Sequence, residues 1–273
     1  YPPLPDPATM RRRKTGLPPP ALQKPAFLSR LPRKLRKLVY RNYRQRNRFH
    51  LYNRLGLRLL LNYANYVDRQ LIIHEPYEAA QIDHLLREAH RQPFDLFIDV
   101  GANLGLYALL MAGTGRFGDI VAFEPDPRNY RQLATNIAVN GLATQIRLFA
   151  CGLSDRDGTT TFLQAHGHST GMSRVDATAP AGTRRQHYAD IHVPVIRFDG
   201  HFTCSARRVM IKIDVEGHEA RVVAGMQQLL EGNDCLLQVE VFDGGIGQVD
   251  ARLSGLGYRN YASFGHDRLY RRA

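Results

Sequence analysis

The chain has 273 residues, 44% of them hydrophobic and 23% charged, which is enough to bury one substantial core and excludes disorder throughout. No apolar run approaches the roughly 20 residues of a membrane-spanning helix, and Cys151, Cys204 and Cys235, without a Cys-x-x-Cys spacing, support neither a disulfide framework nor a thiolate zinc site. The net charge of +12 is unevenly placed: residues 1–60 hold 16 of the 37 Lys and Arg with Asp6 as their only acid, so the rest of the chain is slightly acidic.

Residues 1–30, rich in proline and arginine, are expected to form a disordered tail. Their basic run meets Gly16 and three prolines rather than an apolar stretch, so no secretory signal is read, and the scarcity of cysteine fits a reducing compartment. From Leu31 the spacing of Leu35, Leu38 and Val39 among basic residues predicts a basic amphipathic helix. Further helices are expected over Leu55 to Tyr66 and Glu78 to His90, making residues 31–92 a basic helical extension. Such a helix suits an anionic membrane surface, contacted peripherally through residues 31–52, or a phosphate backbone; a plain solvated helix packed by its leucines is the alternative.

After Pro93 the chain alternates. Strand-like runs at Leu96 to Val100, Ile120 to Phe123, Ile146 to Cys151, Val209 to Ile213 and Leu236 to Phe242 are separated mostly by helical patterns at Gly105 to Gly113, Pro127 to Asn140, Gly217 to Leu230 and Gln248 to Leu256. This predicts an α/β domain over 93–273, with a mostly parallel sheet covered on both faces. A β-rich insertion is expected over 152–208, before the fourth strand, with a loop from Ala165 to Asp190. Two antiparallel strands, Tyr258 to Ala262 and Arg268 to Arg272, close the chain.

The strand Phe97 to Val100 runs into Gly101-Ala-Asn-Leu-Gly105 and then a helix, a turn that in doubly wound sheets faces the ligand crevice. Asn103 replaces the second glycine of the dinucleotide fingerprint and Leu106 the third, and no Gly-Lys pair exists, so a pyrophosphate or triphosphate is poorly served and a nucleoside remains. Glu124, at the end of the next strand, is placed to accept both hydroxyls of a ribose.

The segments Asp99-Val-Gly-Ala-Asn-Leu-Gly105 and Ala122-Phe-Glu-Pro-Asp-Pro127 (with Asn136 and Asn140 downstream), Gly152-Leu-Ser-Asp155 and Ile211-Lys-Ile-Asp-Val-Glu-Gly-His-Glu219 together resemble the FkbM family of S-adenosylmethionine-dependent methyltransferases, over about residues 95–243. The resemblance implies the class I, Rossmann-like methyltransferase fold with a seven-stranded sheet. It further implies that Asp99, Gly101, Asn103 and Gly105 surround the amino-acid part and sugar of S-adenosylmethionine, that Glu124 holds the ribose, and that Asp126, Ser154 and Asp155 lie by the adenosine. Asp214 and His218 are the candidate catalytic bases for an acceptor hydroxyl; the alternative is that Asp214 binds the cofactor's amino group while Glu216 and His218 orient the helix.

Asp214, Glu216, Glu240 and Asp243 at two strand ends could suggest magnesium, and His166, His168 and His187 zinc, but acids are common at strand ends and the histidines lack a compact pattern, so no metal is expected. The resemblance implies a small-molecule or glycan acceptor, with Ser169, Met172, Ser173 and Arg174 as an acceptor wall and Arg174, Arg184 and Arg185 as contacts to acidic groups or as surface charge. An O-methyltransferase of saccharides or related metabolites, cytoplasmic with peripheral contact at the inner membrane face, is the expectation. An RNA O-methyltransferase using the basic front and a non-catalytic cofactor-binding protein are the alternatives; with Lys212 the sole lysine after residue 93, nucleic acid is the weaker partner.

Overall fold

The front of the folded chain departs from the helices its leucines predict. In the computed structural model, which describes Pro32, Leu35 and residues 48–73, 77–165, 173–175, 188–242 and 244–273, Phe49–Arg54 (β1) and Leu57–Asn62 (β2) form an antiparallel hairpin. Leu57, Leu59 and Leu61 alternate inward and are almost fully buried, each stabilising by about 1.5–3 kcal/mol relative to exposure. Leu55 and Gly56 both take positive φ, the backbone of a two-residue turn whose twist matches its strands. A leucine every second residue, with Leu60 between, satisfies helical and strand spacing alike, and burial of the period-two set decides for the strand. The helix expected over Leu55 to Tyr66 is therefore β2 and the start of Tyr66–Ile72 (α1), and the extension is only partly helical. The basic helix expected from Leu31 lies outside the described residues apart from Pro32 and Leu35, and its last part, Phe49 to Tyr52, is in β1.

Ala79–Arg91 (α2) forms as its apolar spacing predicts, burying Ile82, Leu85 and Ala89. Then the alternation unfolds: Phe94–Val100 (β3), Leu106–Thr114 (α3), Phe117–Phe123 (β4), Pro127–Val139 (α4) and Ile146–Phe149 (β5). The insertion follows as Gly152–Leu153 (β6), Gly158–Ala165 (β7), Arg174–Val175 (β8) and Tyr188–Ile196 (β9), a four-stranded sheet in the order β6-β9-β7-β8. Phe198–His201 (α5) and Arg208–Ile213 (β10) return the chain to the main sheet. The predicted helix Gly217 to Leu230 divides at Met226 into Glu219–Gly225 (α6) and Gln227–Gly232 (α7); Asp234–Glu240 (β11), Ile246–Gly255 (α8), Tyr258–Phe264 (β12) and Asp267–Arg272 (β13) complete the fold.

The main sheet has seven strands in the order β12-β13-β11-β10-β3-β4-β5, with β13 antiparallel to both its neighbours and the other observed pairings parallel. β3 and β10 are adjacent, yet the chain runs outward from β3 to β5 on one side and from β10 to β11 on the other. Their carboxyl ends therefore open at the topological switch, where doubly wound sheets bind ligands. One face of the sheet packs on the hairpin, α2, α3 and α4; the other packs on α6, α7 and α8. Because the hairpin shares the first of these cores, it belongs to the same packed body as the sheet.

Three asparagine and aspartate side chains fasten the hairpin. Asn136 Oδ1 accepts from Leu60 N at 2.7 Å while its Nδ2 donates to Leu104 O at 2.9 Å, tying β2 to the glycine turn. Asn140 brackets Arg58 through both its backbone groups. Asp68, fully enclosed, accepts from Asn62 N and from Gln132 Nε2 of α4, and burial lifts its pKa to about 6.

Candidate active site

A cavity of about 310 Å³ opens at the switch between β3 and β10. Gly101 forms its floor at φ +79, with its α-carbon so close to β10 that a Cβ would stand 1.9 Å from the Asp214 carbonyl oxygen. Only glycine lets the two strand ends meet this closely. Asn103 also takes positive φ, which aims its backbone N–H at Glu124 Oε2, 2.7 Å away. Glu124 Oε1 accepts from Asp126 N at 2.8 Å, and burial pushes the carboxyl up to about 8. Each carboxylate oxygen keeps a further lone pair for a ligand hydroxyl.

Beyond Glu124 the wall is apolar, made by Leu153 and by Phe162, Val175, Val193 and Val195 of the insertion. Two polar atoms on the cavity residues, Asn129 Oδ1 and His218 Nδ1, are buried without partners. An apolar cleft with a diol-accepting carboxylate and a few unpaired polar atoms fits a nucleoside.

On the other side of β3 lies a charged cluster. Lys212 Nζ, buried over the Tyr107 ring at 4.6 Å, donates to Asp214 Oδ2 at 2.8 Å. Burial opposes the ammonium charge, but the surrounding Asp214, Glu78, Asp99 and Asp267 hold its pKa well above the usual value. Burial likewise works against Asp214, yet Lys212 and a hydrogen bond with Glu240 keep its pKa low. Glu240 ends β11, directly beside β10; burial and the Asp214 charge push it up to about 10, so the pair holds one proton at neutral pH, on Glu240.

Of the residues singled out from the sequence, Gly101, Asn103, Glu124, Asp214 and His218 line the cavity, whereas Asp99, Gly105, Asp126, Ser154 and Asp155 stand behind it. Asp99 accepts from Ala108 N and so fixes the start of α3; burial lifts it to about 6. Asp126 caps α4 at Arg128 N and spends its oxygens on the Arg128 guanidinium, Gln164 and Ser173, which leaves little for a ligand. Ser154 Oγ donates to Asp155 Oδ1 and meets His218 Nε2 at 2.9 Å, so Nε2 carries the proton and Nδ1 a lone pair. Burial, with Arg221 nearby, lowers His218 to about 4 and keeps it neutral. The two expected bases are thus separated, Asp214 held from the β11 side and His218 from the β6 side.

Sequence reasoning missed Asn129, one turn into the helix after Glu124, and Tyr66, Tyr77 and Glu78 from the front segment. Lys212 drew notice only as a solitary lysine. Ser169, Met172, Arg184, Arg185 and Asp243, the three insertion histidines and the side chain of Arg174 lie outside the described residues; Ser173 lines the cavity with its hydroxyl tied to Ala165 N and Asp126. Among the described residues, no group of three or more His, Cys, Asp and Glu is placed to hold a metal ion, and no helix is long and apolar enough to cross a membrane.

The strand order with its single antiparallel strand, and a nucleoside cavity at the switch flanked by strand-end carboxylates, define a Rossmann-like methyltransferase of the seven-stranded class. Residues 99–260, more than half the chain, match the Methyltransferase FkbM domain, and the chain belongs to that family. It is similar to Methyltransferase sdnD of Sordaria araneosa, 28% identical over 176 residues, covering 56% of this chain and 68% of that one. It is also similar to 2-O-methyltransferase NoeI of Sinorhizobium fredii, at 25% over 171 residues (58% and 68%), and to hexuronic acid methyltransferase AglP of Haloferax volcanii, at 26% over 167 residues (59% and 60%).

Proposed function

We propose that this methyltransferase uses S-adenosylmethionine to methylate a hydroxyl of a saccharide or related metabolite. The observation that carries this reading is a single cavity joining the diol-accepting Glu124 to the Lys212–Asp214–Glu240 cluster, with β3 and its Gly101 turn between them. The sulfonium donor supplies an electrophilic methyl group, so the protein has to align the acceptor oxygen, exclude water and receive a proton. Gly101 and Asn103 would hold the donor's backbone-facing side, Glu124 its ribose hydroxyls, and the apolar insertion wall its base. Asp214, kept ionised by Lys212, takes the hydroxyl proton, while Glu240, already protonated, hydrogen-bonds its partner carboxylate and keeps the charge in place. His218 serves the donor side, held there by Ser154.

The names of the relatives NoeI and AglP, a 2-O-methyltransferase and a hexuronic acid methyltransferase, support oxygen as the nucleophile and a sugar as the acceptor. So do Tyr66 and Tyr77 at the acceptor side, aromatic faces with polar tips suited to stacking on a sugar ring. Purified protein incubated with S-adenosylmethionine carrying a labelled methyl group and separated polysaccharide, lipid, RNA and small-molecule fractions tests the reading. Label in the saccharide or lipid-linked fraction is expected; label in RNA would overturn it and make the basic front a nucleic-acid arm.

A further inference from the structure

The cavity's charge runs against that of the chain. In a protein with 37 Lys and Arg, the described residues lining the cavity include five carboxylates, Glu78, Glu124, Asp214, Glu216 and Glu240, and no lysine or arginine. Lys212 stands behind Asp214 rather than in the lining. A carboxylate or phosphate on the acceptor would be buried there without a cation to pair with and beside like charges, an arrangement that costs heavily in a partly dry site.

Backbone strain is concentrated at the same place. Five described residues other than glycine have positive φ, and three of them, Glu78, Asn103 and Glu216, line this cavity. Asn103 serves the glycine turn, but neither glutamate is needed by the fold where it stands. Glu78 precedes α2 in the left-handed region, φ 46° and ψ 32°, and its side chain does not cap the helix. Instead it accepts from Tyr107 OH at 2.6 Å and hydrogen-bonds the Tyr77 phenol. Strain of this kind persists where surrounding structure enforces it, commonly at ligand clamps. Glu78 also lies ahead of residues 99–260, the part of the chain that defines the family.

We propose that the acceptor is a neutral or amino-substituted sugar, and that Glu78 and Glu216 are specificity-determining residues that reject uronic-acid and phosphorylated sugars. This rests on the saccharide reading above. The methyl group of the donor leaves sulfur and joins the acceptor oxygen as before; the two glutamates act on which sugar is admitted, not on the transfer.

The test follows the charge of the true acceptor without knowing its identity. Full-length protein transfers labelled methyl from S-adenosylmethionine into a cell extract, the saccharide fraction is hydrolysed, and the labelled sugars are separated on an anion exchanger. Label in the unretained fraction is expected, with Glu78→Gln and Glu216→Gln each raising the retained share about tenfold by removing a like charge. Label mainly in retained sugars from the unaltered protein would overturn the proposal while leaving saccharide methylation standing. An unchanged retained share in both variants, each shown by calorimetry to bind S-adenosylmethionine, would also overturn it. Label in RNA with none in any sugar would overturn both readings together.

Discussion

The two sides of the cavity are built differently. On the glycine-turn side, Gly101, Asn103 and Glu124 come from two consecutive β-α units, and their geometry is held by backbone N–H groups a few residues away. On the front side, Tyr66, Tyr77 and Glu78 come from the segment before the sheet, Asp214 and Glu216 from the end of β10, and Glu240 from the end of β11. A local motif can encode the first arrangement, since spacing along the chain nearly fixes spacing in space. The second exists only once the strand order has brought distant segments together. In the proposed reading the compact side holds the donor, and the assembled side chooses and deprotonates the acceptor.

Substitutions can break this division one side at a time. The largest effect is expected from Gly101→Val, where a side chain would collide with the Asp214 carbonyl at a positive φ that valine resists. Calorimetry should show no S-adenosylmethionine binding, and thermal unfolding should fall by several degrees; retained tight binding would mean that the turn does not carry the donor. Next comes Asp214→Asn, expected to lower kcat by about 10²- to 10⁴-fold with donor affinity nearly intact. Loss of donor binding in place of turnover would reassign Asp214 to the donor side.

Asp68→Ala should act through stability. It strands the Asn62 N–H and the Gln132 amide in a buried site, and the expected loss in urea unfolding is about 1–3 kcal/mol. An unchanged midpoint would show that the hairpin is held by its leucines alone. The smallest effect is in pH. Glu124 is protonated below about 8 and ionised above it, and the ionised form accepts both ribose hydroxyls. Donor affinity should therefore rise with pH by up to about tenfold per unit below 8 and then level off, and Glu124→Gln should flatten the profile.

Much of this molecule was legible in its residues. The alternation after Pro93, the insertion before the fourth strand, the closing antiparallel pair and the turn at Gly101 all carry periodic or motif signals that burial in the sheet enforces. Asn136 and Asn140 were visible as part of a motif, but their task, clamping a hairpin 76 and 82 residues away, has no sequence signal. The hairpin itself was misread because its leucines fit both periods and Leu55 stands where a turn of this type usually shows Asn or Asp. Asp126 was misassigned for a related reason: an acid before a helix-starting proline serves as an N-cap as readily as a ligand. Glu78 and Tyr77 belong to no motif, and only the fold brings them to the cavity.

The division between the two sides is tested most directly by titrating S-adenosylmethionine into the unaltered protein, Glu124→Ala and Tyr66→Ala in parallel, with methyl transfer to the labelled saccharide fraction measured on the same preparations. Tyr66 is half exposed, so its truncation leaves the core alone. The account predicts that Glu124→Ala loses donor binding, whereas Tyr66→Ala binds the donor normally and transfers methyl groups poorly. Normal donor binding by Glu124→Ala, or its loss in Tyr66→Ala, would contradict it.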